Sequence, residues 1–250
     1  MFQSHARHRV SPRDLAFPFA MNSLPQELID AVIDSLPRSS LLSSSLVAKQ
    51  WRRRSQQRAL ERIKFRSEAQ VSRWCTDFPQ DPEGIVSYVH VAEFAGIGSW
   101  YDPTIFGCAL KSLGSLTELW VSKTGIPDEL PGQIIRGELG KEITVLRLWW
   151  SSCTLATVMS VIFSLPSLEV LSIAHPGVES KGPLQSHPVA SQRTPLDLLG
   201  LWGNVGGIGK ALTKSGFTFR RLSLDVDLSG VEQLIVLSSE TMVKLTLYGV

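Results

Sequence analysis

Between residues 86 and 247 one six-residue pattern, apolar-x-x-apolar-x-apolar, recurs seven times. It fits Val86/Val89/Val91, Leu116/Leu119/Val121, Ile143/Leu146/Leu148, Leu168/Leu171/Ile173, Leu196/Leu199/Leu201, Phe219/Leu222/Leu224 and Met242/Leu245/Leu247. Successive starts lie 30, 27, 25, 28, 23 and 23 residues apart. Self-similarity at such a period is the mark of a repeat array, in which each unit cannot bury its apolar face alone and stacks on its neighbours. The final apolar pair in each match, two residues apart, predicts a short strand whose alternate side chains enter a shared core. The segments between strands must return the chain on the outer side. Those around Thr154 to Leu165, Ile208 to Ser215 and Val231 to Ser239 have helical character. The stretch from His175 to Pro195, rich in proline, glycine and polar residues, is expected as a long exposed loop.

If the apolar positions point inward, the residues between them form the other face. These are Tyr88/His90, Glu118/Trp120, Arg147/Trp149, Ser172/Ala174, Gly200/Trp202, Ser223/Asp225 and Thr246/Tyr248. Trp149, Trp202 and Tyr248 occupy one position in their repeats and Trp120 lies one pleat earlier. Aromatic side chains with arginine beside them are the composition of interface anchors. Trp120, Arg147, Trp149, Trp202, Asp225 and Tyr248 are therefore the candidate target-binding residues.

The first sixty-odd residues are a different kind of chain. Residues 1–21 lack periodicity and are expected as a disordered tail. Pro25 then suits the first turn of a helix, where its missing N–H costs nothing, and Glu27 favours the positive end of the helix dipole. Leu24, Leu28, Ile29, Val32, Ile33 and Leu36 form an apolar stripe at helical spacing, which Pro37 stops. Ser39 or Ser40 can cap a second helix through Leu41, Leu42 and Leu46. A third helix is expected from about Val47 through Trp51 toward Ile63 and Phe65. Three short helices make a small core, so apolar surface is left for something else to cover.

The ordered set Leu24-Pro25-x-Glu27-Leu28, Ile33, Leu36, Leu41-Leu42, Val47 and Trp51 resembles an F-box, over roughly residues 22–66. The resemblance implies docking onto the Skp adaptor subunit of a Skp–cullin–F-box ubiquitin ligase. The residues it assigns to that contact are Leu24, Pro25, Leu28, Ile29, Ile33, Leu36, Leu42, Val47 and Trp51. Ser43-Ser44-Ser45 is an unusually polar departure between the second and third helices. The recurring strand pattern in turn resembles an irregular leucine-rich-repeat solenoid. The asparagine or cysteine usual after the strand is met at Asn204, whereas Ser151, Pro176 and Asp227 stand there in other repeats. No polar cap follows Leu247, so the array reads as a shortened piece of a longer one.

Charge is concentrated in one place. Between Lys49 and Arg66 eight basic residues face one acid, Glu61, leaving the rest of the chain net acidic although the total is +2. The arginines spread around a helix without interleaved aromatics, which favours a solvated or protein-facing helix over nucleic acid. Cys75, Cys108 and Cys153 form neither a disulfide framework nor a metal-ligand spacing. That usage predicts a cytoplasmic or nuclear protein; the basic first residues lack the apolar run of a secretory signal, and Val158–Leu165 is too short to span a membrane.

Catalytic motifs fail on inspection. The run Gly203 to Lys210 lacks the glycine and the hydroxyl that a phosphate loop needs, since Asn204 and Ala211 stand there. His90, His175 and His187 have no nucleophile framed beside them, and Asp225 with Asp227 is a single pair in a single repeat.

The expected architecture is therefore a three-helix head over 22–66, a linker over 67–84 and a solenoid over 85–250. Its parallel strands would line the concave side, with helices and loops on the convex side. The expected function is a non-enzymatic receptor without metal or cofactor, binding the Skp adaptor at one end and a protein target at the other. An interaction scaffold that recruits no ligase is the alternative.

Overall fold

The computed structural model describes residues 24–78, 84–98, 102–124, 141–149, 152–174, 177–179, 195–203, 205–225 and 230–248. The tail, most of the loop after Ala174, and Asn204, Ser151, Pro176 and Asp227 lie outside them. The chain divides between Ser55 and Gln56 into two compact units.

Among the described residues the larger unit is built on eight parallel strands: β1 (Arg62–Phe65), β2 (Val91–Gly98), β3 (Glu118–Thr124), β4 (Val145–Trp149), β6 (Val170–Ala174), β8 (Leu196–Trp202), β9 (Phe219–Asp225) and β10 (Lys244–Tyr248). They lie side by side in chain order, so the sheet is open with β1 and β10 at its edges. Two three-residue strands, β5 (Ser152–Thr154) and β7 (Gly177–Glu179), pair separately.

The register follows the apolar pattern. Leu119, Leu146, Leu171, Leu199, Leu222 and Leu245 are successive Cα partners, and so are Val121, Leu148, Ile173, Leu201, Leu224 and Leu247. A second signature repeats beside it in the backbone. The carbonyls of Glu61, His90, Thr117 and Thr144 each accept two successive N–H groups from the residues entering the next strand, at 2.8–3.1 Å. Because a shift of one residue would turn every leucine to the opposite face, burial of one face holds this register.

The first of the seven expected matches is displaced. Leu119 and Val121 pair with Ala92 and Phe94, so the repeat there is Val89/Ala92/Phe94, three residues later than Val86/Val89/Val91. Val86 instead lies in a 3-10 turn, Ile85–Tyr88, which takes Tyr88 off the strand. Alanine and phenylalanine fill the two strand sites where β-branched or leucine side chains were sought. Ile63 and Phe65 in turn pair with Ala92 and Phe94. They form an additional strand where the third helix was expected to continue.

The core lies on one face of this sheet. There the strand residues meet α4 (Glu68–Asp77), α5 (Pro103–Ser112), α6 (Leu155–Phe163), α7 (Gly206–Lys214) and α8 (Glu232–Leu237) through Val71, Phe106, Leu110, Val158, Ile162, Leu212 and Leu234. The three expected return helices coincide with α6, α7 and α8. Thr154 caps α6, its Oγ1 accepting from the Thr157 N–H at 3.1 Å, and Asp102 caps α5 in the same way from Thr104 at 2.8 Å. The 67–84 stretch expected as a linker contains α4, capped by Ser67, with Val71 buried and Trp74 against Phe65. Its proline and glycine signals belong to residues 79–84, after the helix.

The smaller unit holds α1 (Gln26–Ser35), α2 (Arg38–Ser44) and the start of α3 (Lys49–Leu60). Pro25 and Pro37 stand at the N-cap positions of α1 and α2, and no side chain caps either helix, so neither Ser39 nor Ser40 has the expected role. Leu36 is extended, as a residue preceding proline tends to be, and this ends α1. Arg54 on α3 grips Asp34 on α1 through two bonds of 2.9 and 2.6 Å. α3 stops at Leu60, short of Ile63 and Phe65, because those two residues are drawn into the sheet.

β10 closes the core incompletely. Leu245 and Leu247 are 42% and 52% exposed, whereas their partners Leu222 and Leu224 are 1% exposed. Leu171→Ala should therefore cost about 2–5 kcal/mol, and Leu247→Ala well under half of that. Equilibrium denaturant unfolding of the two variants checks the contrast.

Candidate functional site

The smaller unit has an inner and an outer apolar set. Ile29, Ile33 and Leu41 are buried, while Leu24, Leu28, Val32, Leu42, Leu46 and Val47 are between 42% and 80% exposed. Ile29 and Ile33, expected among the docking residues, thus belong to the interior. The stripe was one signal in the sequence, but a helix this short divides it between a core and a surface. Val32 and Leu46, not among the expected contacts, join Leu24, Leu28, Leu42 and Val47 on the outside; Pro25 is exposed too. Leu36 and Trp51 are half-buried, and the Trp51 indole N–H is buried without a partner among the described residues. Six exposed large apolar side chains on α1, on α2 and in the segments beside them form more bare surface than a solvated head requires.

The polar run Ser43-Ser44-Ser45 does not interrupt this unit. Ser44 and Ser45 are buried, and each hydroxyl donates back to a carbonyl of α2, of Leu41 and Leu42, at 2.7 Å. Ser44 Oγ also meets the fully buried Ser55 Oγ of α3 at 2.8 Å. A buried hydroxyl must find a partner, and these two find each other. Small polar residues here permit close approach of α2 to α3.

A family model for the F-box domain matches residues 21–62. The chain carries an F-box. That domain implies a Skp-binding adaptor of a Skp–cullin–F-box ubiquitin ligase. The F-box match ends at Arg62, the first residue of β1. No curated protein matches the chain by sequence.

The second candidate surface is the face of the sheet turned away from the helices. Cα pairing places Glu93, Trp120, Arg147, Ser172, Gly200, Ser223 and Thr246 in one row. The next row outward contains Ser122, Trp149, Ala174 and Trp202, and Tyr248 pairs there with Asp225. This confirms the shared position of Trp149, Trp202 and Tyr248, and the place of Trp120 one pleat earlier.

The aromatics are not equivalent. Trp120 and Trp149 pack together with ring centroids 5.3 Å apart, and the guanidinium carbons of Arg62 and Arg147 lie 4.1 and 4.8 Å from the Trp120 ring. Trp149 Nε1 donates to Ser172 Oγ at 3.1 Å, and Arg147 Nε donates to Glu118 Oε1 at 2.7 Å. Trp202 instead places its ring over Gly200, where a Cβ would fall 2.2 Å from it. Only glycine leaves room for that ring. Tyr248 is 52% exposed on the edge strand. The structure thus gathers Trp120, Arg147 and Trp149, sets Trp202, Asp225 and Tyr248 apart from them, and adds Arg62. Sequence reading missed Arg62 because it placed that residue on a helix.

Several other signals have structural explanations. The glycine run is partly helical: Gly209 sits inside α7, where a Cβ would come within 2.6 Å of Val231 Cγ1 and 2.8 Å of the Gly230 carbonyl oxygen. Gly209 lets α7 approach the turn before α8. Asp225 Oδ2 accepts the Gly203 N–H at 3.4 Å, and His90 Nδ1 lies 3.0 Å from the Ser115 carbonyl, so both groups serve neighbouring turns. In the basic segment, Arg54 pairs with Asp34, Arg58 with Glu61 and Lys64 with Glu93. Among the described residues no helix is long and apolar enough to cross a membrane.

Cys75 on α4 and Cys108 on α5 are free thiols. Burial, and secondly the neighbouring Cys108 sulfur, push the Cys75 thiol up to about 12. Since the thiolate is the reactive form, Cys108, which is exposed, should react with iodoacetamide at pH 8 well before Cys75. Peptide mapping over time checks the order. In the folded chain Cys75 keeps its proton between its ordinary value of 9.0 and about 12, whereas the unfolded chain releases it there. Its contribution to stability is therefore complete below pH 9 and declines as pH rises through that window. Gly209→Ala should lower stability by about 1–3 kcal/mol through its clash with Val231, measured by thermal unfolding.

Proposed function

We propose that this chain is a non-catalytic substrate receptor, whose F-box docks onto the Skp adaptor and whose open sheet face holds a protein target. The carrying observation is the F-box match at residues 21–62, together with the six exposed apolar side chains Leu24, Leu28, Val32, Leu42, Leu46 and Val47. A helical apolar surface of this kind fits a groove lined by apolar residues on a partner. The second unit is read as an irregular leucine-rich-repeat solenoid. Strands laid in chain order at a leucine period of 23 to 28 residues support that reading. The function follows by proximity: tethering a target to the ligase assembly raises its effective concentration near the transferring enzyme. The exposed half of the stripe supplies the adaptor contacts, and Ile29 and Ile33 act by supporting it.

Co-purification of the full chain with the Skp adaptor tests this. Wild type should be retained, and Leu28→Asp or Leu42→Asp should weaken retention by at least about tenfold, because each places a charge in an apolar contact. Both positions are exposed, so circular dichroism should be unchanged. A wild-type chain that fails to bind the adaptor leaves the scaffold without ligase recruitment as the reading.

A further inference from the structure

We propose that Arg62 and Arg147, held together against Trp120 on the open sheet face, form a clamp for an acidic side chain of the bound protein target. The proposal rests on the receptor reading and names the chemistry of what is held. Arg62 rises from β1 and reaches across β2 to the Trp120 ring, with its guanidinium carbon 4.1 Å from the centroid. Arg147 reaches the same ring from β4 at 4.8 Å. Stacking on an aromatic face fixes the plane of a guanidinium, and a fixed planar fork binds an oxyanion with less loss of side-chain freedom.

The cluster has donors without acceptors. The Arg62 side chain has no carboxylate partner and no hydrogen bond among the described residues, and its Nε is buried. Arg147 commits Nε to Glu118, which leaves its two Nη groups without a hydrogen bond among the described residues. The Trp120 indole N–H is buried and likewise lacks an acceptor. Of the nearby carboxylates, Glu93 is engaged by Lys64 at 2.5 Å and Glu118 by Arg147 at 2.7 Å. Two guanidiniums beside one indole, with a single carboxylate between them, leave one positive charge uncompensated. A carboxylate or phosphate would supply the charge and accept from the guanidinium Nη groups. Trp149, fixed by its bond to Ser172, offers an apolar platform for the stem that bears such a group. Glu93 and Glu118 oppose a continuous polyanion, which favours an isolated acidic side chain on a peptide over nucleic acid.

Fluorescence anisotropy of the full chain with three labelled peptides tests this: alternating glutamate and alanine, the same with glutamine, and the same with phosphoserine. Saturable binding of the glutamate or phosphoserine peptide, with the glutamine peptide weaker by about tenfold or more, is the expected result. The arm that binds identifies the oxyanion. Arg62→Gln should lose about tenfold of that affinity, and Glu118→Gln should gain affinity by releasing Arg147. The gain is not a consequence of simple unfolding, so it keeps the proposal open to test if Arg62→Gln folds poorly. Equal binding of the glutamine peptide, no binding of any peptide, tighter binding of a single-stranded oligonucleotide, or a loss with Glu118→Gln would each overturn it. Adaptor co-purification of the same variants separates this outcome from the receptor reading, because a failed clamp leaves F-box docking intact.

Discussion

The larger unit depends on one repeated contact, leucine against leucine across adjacent parallel strands. Leu119, Leu146, Leu171, Leu199 and Leu222 follow one another at 0–1% exposure, each paired with the next. Each such burial contributes about 1.5–3 kcal/mol, and none can be moved without moving its neighbours. The other face of every strand is fixed as a consequence. Trp120, Arg147 and Trp149 meet on the open side because the leucines between them are committed to the core. The same coupling explains the paired N–H groups at Glu61, His90, Thr117 and Thr144, which mark the entry to β2, β3, β4 and β6.

The F-box is organised on a different principle, with too few residues to bury its own apolar side chains. Its interior is Ile29, Ile33 and Leu41 with the Ser44–Ser55 hydroxyl pair, Leu36 and Trp51 are half-buried, and Leu24, Leu28, Val32, Leu42, Leu46 and Val47 are exposed. The serines that look like a defect in an apolar sequence bring two helices close together at a site where larger side chains would hold them apart. The interior and the exposed surface draw on the same stripe, which is why its residues divide between the two.

Much of this was legible in the chain. Six of the seven template matches lie in the observed register, because alternation within a strand and the return distance between strands are both local properties. The three return helices were legible for the same reason. The first repeat was displaced because Val86, Val89 and Val91 satisfy the template by composition, while pairing with β3 selects Val89, Ala92 and Phe94. The helix at Glu68–Asp77 was hidden by the prolines and glycine that follow it. The extent of α3 was overestimated, since Ile63 and Phe65 continue a helical spacing but gain more by pairing with β2.

The sequence by itself determined the repeat, its period, the helical head and the positions whose side chains share a face. Those depend on spacing along the chain. Only the tertiary structure decided which members of a face touch. It placed Arg62 beside Trp120 from two strands away and laid Trp202 over Gly200. It also turned Ile29 and Ile33 inward while leaving Leu28 outside. The physical reason is that a periodic pattern fixes direction relative to a strand or helix axis. Contact between residues distant in sequence depends on how neighbouring elements are aligned, and that alignment is set by packing of the whole core.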